Sequence, residues 1–165
     1  MLCKGLVREG QDASGGKAMS RKMVIIGAWP GGYVAAVRAA QLGADITVIE
    51  KENIGGTCLN WGCIPSKVMK TTAELLERCR RAQEFGLSLA GEVKVDMKAL
   101  MERKRKVIQD QAKGIHRLFE HHKIKFITGT ARIEGPNLIR VVLADDKTME
   151  VPWDTLILAP GSKPF

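Results

Sequence analysis

The first apolar run of the chain, MVII over residues 23–26, stops at a cluster of glycines spanning 27–32. An Ala-rich stretch over 33–42 follows, with Ala35, Ala36, Ala39 and Ala40 at helical spacing, and Gly43 ends it. A second apolar run over 46–49 closes on Glu50. This order of strand, turn, helix and strand is the opening of a parallel α/β sheet. The small alanine side chains would let the helix lie close against the sheet.

Further along, the pattern predicts a helix over 57–83 and another over 96–121 with Asp96 as its N-cap. In the second, Met97, Leu100, Met101, Val107, Ile108, Ile115, Leu118 and Phe119 mostly keep three-to-four spacing. A strand is expected over 124–127. Alternation over 131–134 and 138–143, separated by Gly135-Pro136-Asn137, reads as an antiparallel hairpin, with a third short strand over 149–151. The last strand, 155–159, runs into Pro160, Gly161 and Ser162. There is no internal repeat. Residues 1–22 are polar, Gly/Ser-rich near 14–16 and without periodicity, so a disordered tail is expected there and one domain over 23–165. The tail lacks the apolar core of a signal peptide.

Composition narrows the classes. At 165 residues and 45% hydrophobic, the chain can bury a real core, and no apolar run reaches the roughly 18 residues of a membrane span. The net charge of +8 favours an anionic partner without selecting one. An aromatic content of 5% is too low for a base-stacking platform, so no nucleic-acid partner is expected. Cysteines at 3, 58, 63 and 79 match neither a secreted disulfide scaffold nor a zinc site, and no metal is expected. The cytosol is the default compartment, where a close cysteine pair points to redox chemistry. The basic stretch 103–106 is read as a solvated helix face.

Two segments carry candidate chemistry. Gly27-Ala28-Trp29-Pro30-Gly31-Gly32 approximates the dinucleotide fingerprint GxGxxG, with Gly27 and Gly32 at its first and third glycines and Glu50 as the ribose-binding acid. Trp29 stands where the second glycine belongs. An ordinary strand–helix turn without a ligand is the alternative. The second segment is Gly55-Gly56-Thr57-Cys58-Leu59-Asn60-Trp61-Gly62-Cys63-Ile64-Pro65-Ser66-Lys67. Five residues of ideal helix advance about 7.5 Å, whereas bridged Cα atoms rarely lie beyond about 7 Å. A Cys58–Cys63 bridge therefore requires a distorted helical start near Gly62 and Pro65, and such bridges tend to be labile and catalytic. The alternative is two buried cysteines acting as small hydrophobes.

With these motifs in place, residues 23–165 resemble the N-terminal part of the flavin-dependent pyridine nucleotide–disulfide oxidoreductases, and GGTCLNWGCIPSK is most similar to the dihydrolipoamide dehydrogenase branch. The resemblance implies a Rossmann-like FAD-binding domain, a parallel sheet with helices plus a β-hairpin or meander insertion, incomplete relative to the family. It implies an oxidoreductase, a flavoprotein with a redox-active disulfide, that passes electrons from dihydrolipoamide on a lipoyl-carrying protein to FAD and then NAD. By this resemblance Cys58 exchanges with the dithiol, Cys63 meets the flavin and Lys67 lies beside its N5. Gly27, Gly31, Gly32, Glu50, Lys51, Gly56, Thr57, Ala131, Gly161 and Ser162 would contact the cofactor. The family implies a homodimer and no membrane partner, in the cytoplasm or, in a eukaryote, the mitochondrial matrix, although no transit peptide is evident.

Three departures qualify the match. Trp29 would occupy space the pyrophosphate needs, and Pro160 removes a backbone N–H from the ATGS-like turn. The family also continues well past the equivalent of Phe165, with a nicotinamide-binding domain, a returning flavin segment, a dimer interface and a His-Glu pair. His116, His121 and His122 are not that pair; they sit near a helix C-terminus, whose dipole favours them. The chain alone is therefore expected to bind flavin poorly, to be inactive, and to expose apolar positions such as Ile139, Val141, Leu156 and Leu158 that partly need later cover. Trp61 and Trp153 are expected to pack, and Cys79 to be an ordinary helical cysteine. A non-catalytic nucleotide-binding or interaction module, or a glutathione- or mercuric-type reductase segment, are the rival readings.

Overall fold

The computed structural model describes residues 21–162, so nearly all of the expected tail 1–22 lies outside the described residues. The first strand, β1 (Lys22–Ile26), begins inside that expected tail. Helix α1 (Pro30–Gln41) and strand β2 (Asp45–Glu50) complete the predicted βαβ opening. Two helices follow, α2 (Gly56–Asn60) and α3 (Cys63–Arg80), then a short 3-10 turn (Ala82–Phe85) and the long helix α4 (Met97–His121). The remaining strands are β3 (Lys125–Thr128), β4 (Thr130–Gly135), β5 (Leu138–Val142), β6 (Thr148–Pro152) and β7 (Thr155–Leu158).

The strands form two sheets. A parallel sheet runs in the order β3-β2-β1-β7, and β4-β5-β6 form an antiparallel meander. Both sheets agree with the sequence pattern. The start of β7 is tied to the start of β1 by a reciprocal pair: the Lys22 amide donates to the Asp154 carboxylate at 2.8 Å, and the Asp154 amide to the Lys22 carbonyl at 2.8 Å.

The strand sequences are apolar on successive residues because both sheet faces are covered. On one face Ile25, Ile46 and Val48 pack with Ala36 of α1 and with Ile115 and Phe119 of α4. On the other, Val24 and Ile49 pack with Ile139, Val141 and Val151 of the meander. Ile139 and Val141 are 0% exposed, so they take their cover from within this segment, contrary to expectation. Leu156 joins the same cluster half-buried, whereas Leu158 on the edge strand is 61% exposed. Trp153 packs into that cluster too. Trp61 does not: it lies at the C-terminal end of α2, beside the break between α2 and α3, and is 57% exposed.

Asp96 caps α4 as predicted, its carboxylate accepting from the Ala99 amide at 3.0 Å. The predicted 57–83 helix, in contrast, is broken. Gly62 adopts φ −117, ψ −109, which is not helical, and separates α2 from α3. The pattern of apolar residues carries across this break, which is why it reads as one helix.

The burial of Ile139 yields a test. Ile139→Ala should cost about 2–5 kcal/mol, as for other buried large-to-small changes. Urea unfolding of this chain by itself measures it. A cost near zero would mean that the meander is not packed on the parallel sheet.

Candidate functional site

The C-terminal ends of β1 and β7 lie side by side, and the chain leaves β1 towards β2 on the opposite side. In open α/β sheets, ligands bind at such a switch point. Here the backbone converges closely. Gly27 has φ +104, and any side chain there would collide with the Ala159 carbonyl; a side chain on Gly32 would collide with the Gly27 carbonyl. These are the turn and helix-packing roles of the first and third glycines of the dinucleotide fingerprint. Gly31 faces open space and is exposed, so nothing within the protein demands a glycine there.

The Trp29 side chain lies in the middle of this convergence. A Cβ built on Gly56 (φ +58) or on Gly161 (φ +73) would overlap the indole ring. The ring is thus held between two glycine backbones, one at the start of α2 and one after β7. Gly27 and Gly32 close the turn against the Ala159 and Gly27 carbonyls, while Gly56 and Gly161 lie against the Trp29 ring. A dinucleotide diphosphate sits at this first strand–helix turn in such folds, and it cannot share the volume with the indole. As arranged, the recess does not fit that group.

Glu50 is 4% exposed at the end of β2. Its Oε2 accepts from the Ala28 amide and its Oε1 from the Glu52 amide, both at 2.8 Å. The acid expected to hold ribose hydroxyls therefore also ties the β1–α1 turn to the end of β2. The Gly129 amide donates to the Glu50 carbonyl at 2.9 Å, bringing the β3–β4 corner and its neighbour Ala131 to the same edge. Lys51 is exposed and 3.9 Å from Glu52. Thr57 is exposed in α2, and Ser162 is exposed after Gly161.

The break at Gly62 builds the second half of the site. Gly62 packs so closely on α2 that a Cβ would lie 3.1 Å from the Thr57 carbonyl. Cys58 in α2 and Cys63 at the first position of α3 are consequently brought within hydrogen-bonding reach as two free thiols. Cys58 is half-buried and Cys63 exposed. The Cys63 contact and, secondarily, burial push the Cys58 thiol above its ordinary range, while the positive charge of Lys67 pulls the other way. Lys67 is one turn into α3 from Cys63.

Asn60 is a residue the motif reading passed over. Its amide nitrogen donates to the Ile54 carbonyl at 3.1 Å and to the Gly56 carbonyl at 2.9 Å. It braces the α2 turn that places both Gly56 against Trp29 and Cys58 against Cys63. An Asn among glycines in a turn was the available signal. Cys79 lies elsewhere, lining an apolar cleft with Leu75, Ala82 and Phe85. His116 stacks edge-on against Phe126, with ring centroids 5.2 Å apart, a packing role. Among the described residues, no helix is long and apolar enough to cross a membrane, and no cluster of three or more His, Cys, Asp or Glu could hold a metal ion.

Comparison with known proteins places this geometry. The family described as "Pyridine nucleotide-disulphide oxidoreductase" matches residues 21–165. The mitochondrial dihydrolipoyl dehydrogenase of Dictyostelium discoideum is 39% identical over 143 residues, covering 86% of this chain and 29% of that protein. The dihydrolipoyl dehydrogenase of Rhizobium etli is 45% identical over 124 residues, covering 75% of this chain and 26% of that protein. The crystal structure of LpdA from Mycobacterium tuberculosis superposes with a TM-score of 0.74 at 25% identity, covering 88% of this chain and 32% of that one. The chain thus spans less than a third of the length of these relatives.

Two tests follow from the site. Glu50→Ala leaves the Ala28 amide, a buried donor, without its carboxylate partner, at a cost of about 1–3 kcal/mol, so a loss in denaturant stability of that order is expected; an unchanged midpoint would show that the carboxylate does not hold the turn. The second concerns pH. A thiol whose neutral form is favoured loses its proton only above its ordinary range, so iodoacetamide labelling of Cys58 should rise late with pH. Cys63→Ala should move that rise to lower pH and Lys67→Gln to higher pH. Mass-spectrometric mapping reads all three profiles, and coincident profiles would contradict the assigned causes.

Proposed function

The chain belongs to the pyridine nucleotide-disulphide oxidoreductase family, and from that premise we propose that it supplies the dithiol–disulfide segment of a dihydrolipoyl dehydrogenase. The observation that carries this is the Gly62 break, which brings two cysteines five positions apart into thiol contact beside Lys67. An unbroken helix would hold them apart, and a structural pair of small hydrophobes would not require a glycine packed against the Thr57 carbonyl.

The proposed reaction starts from the oxidised Cys58–Cys63 pair. One thiolate of dihydrolipoamide attacks the Cys58 sulfur; the new S–S bond forms as the Cys58–Cys63 bond breaks, and Cys63 leaves as a thiolate. The second substrate thiolate then attacks its own partner sulfur in the mixed disulfide. Cyclic lipoamide departs, and Cys58 is released. Two electrons have moved from the substrate to the protein, and the two substrate protons balance the two cysteines. Lys67, whose charge already acts on Cys58, favours the thiolate stages. FAD and NAD are the cofactors of this family, and they are the onward electron acceptors we propose for the whole enzyme. A lipoyl-carrying protein is its proposed substrate carrier and a second copy its proposed partner. A reducing compartment, the cytosol or the mitochondrial matrix, suits a pair that must cycle.

The assignment of Cys58 as the exchanging sulfur runs against exposure, because Cys63 is the more exposed of the two. Single variants separate the roles. Oxidised lipoamide offered to Cys63→Ser should be captured as a mixed disulfide on Cys58, whereas Cys58→Ser should capture far less. Reversed capture would exchange the roles, and no capture by either variant would overturn the dithiol reading.

A further inference from the structure

The recess at the end of β1 is filled by the protein itself. Its walls are the β1–α1 turn, the Gly55-Gly56 start of α2 and the Pro160-Gly161 turn after β7. These segments come from distant parts of the sequence and converge on one indole. Gly56 and Gly161 both have left-handed φ values and no Cβ, and in both cases the missing Cβ is the space the ring takes. Such mutual fitting goes beyond a bulky residue that happens to stand in a glycine-rich turn. The ring packs where a ligand would pack, and it links three loops as a ligand would.

We infer that Trp29 is an intramolecular plug of the dinucleotide recess, which a diphosphate-bearing ligand such as FAD must displace in order to bind. This rests on the family reading of the recess but not on the cysteine chemistry. The rest of the wall is held independently of the ring: Gly27 packs on the Ala159 carbonyl, Gly32 on the Gly27 carbonyl, and Glu50 is fixed at the edge by the Ala28 and Glu52 amides, so moving the indole leaves that frame in place. Affinity for a ligand that binds only the open form falls in proportion to the open fraction. A recess open one-tenth of the time binds about tenfold more weakly. Trp29 thus sets dinucleotide affinity from inside the site.

The experiment compares the chain with Trp29→Gly and Trp29→Ala. Residue 29 is the N-cap of α1, a position that glycine tolerates well, and it makes no side-chain cap hydrogen bond there. The helix should therefore survive. FAD titration, followed by the change in flavin fluorescence on binding, should show at least about tenfold tighter binding by the variants. Equal affinity for all three proteins, or no FAD binding by any of them, would overturn the plug. A second readout needs no ligand. Gly161→Ala should lower the melting temperature sharply in the unaltered chain, because the new methyl meets the indole. In the Trp29→Gly background it should lower the melting temperature much less, leaving only the strain of the positive φ. Equal drops in the two backgrounds would also overturn the proposal. Failure of thiol capture by the cysteine variants would leave both readouts standing, so the plug and the redox reading fail separately.

Discussion

The approach of backbone to backbone at the end of β1 is the constraint on which the rest depends. Gly27 turns there with a positive φ against the Ala159 carbonyl, and Gly32 brings α1 down onto the Gly27 carbonyl. Without that closeness, β7 could not continue the parallel sheet beside β1 while α1 covers its face. The Ala28 amide, freed from the strand ladder by the turn, is taken up by Glu50 from the neighbouring strand. One buried carboxylate thereby couples the turn to β2, and the Gly129 amide couples β3 and the meander to the same residue. The candidate edge and the folding of the sheet rest on the same set of contacts.

Much of this was legible from residue order. Apolar runs on successive positions marked strands covered on both faces, the alanines marked a helix lying close to them, and Asp96 marked the start of α4. The glycine roles at 27 and 32 could be read because each follows from a steric need that no other residue meets. The break between α2 and α3 was harder. A single glycine costs a helix about 1 kcal/mol, so Gly62 reads as a weak point, and only tertiary packing against Thr57 makes it a break. Ile139 and Val141 misled for a related reason: the alternation shows that one face of the hairpin is apolar, but not which sheet will cover it.

Trp29 and Glu50 show a different limit of sequence. The fingerprint assigns each position a role towards a ligand, and it is silent on what the same residues do towards one another. Glu50 was expected to face ribose hydroxyls, yet both of its oxygens already serve backbone amides. A buried acid with satisfied oxygens is part of the scaffold whether or not a ligand arrives. Trp29 could be seen to crowd the turn, but its clamping between Gly56 and Gly161 needed three-dimensional convergence of positions 29, 56 and 161. Asn60 belongs with them, since its two carbonyl partners lie within six residues and its consequences lie on both sides of α2.

The two halves of the site are therefore built on separable determinants. The thiol pair depends on a local device, the Gly62 break braced by Asn60, contained within 54–67. The recess depends on a long-range one, the convergence of turns that follow β1 and β7. Both draw on the α2 segment, which presents Gly56 to the indole and Cys58 to Cys63. A change at position 29 can alter what enters the recess while leaving the cysteines in contact. A change at Gly62 can separate the cysteines while leaving the turn, the sheet and the indole in place. The two halves meet at the short α2 helix, whose position is fixed by Asn60, by Leu59 in the core and by the Gly55 amide donating to the Ala28 carbonyl at 2.8 Å.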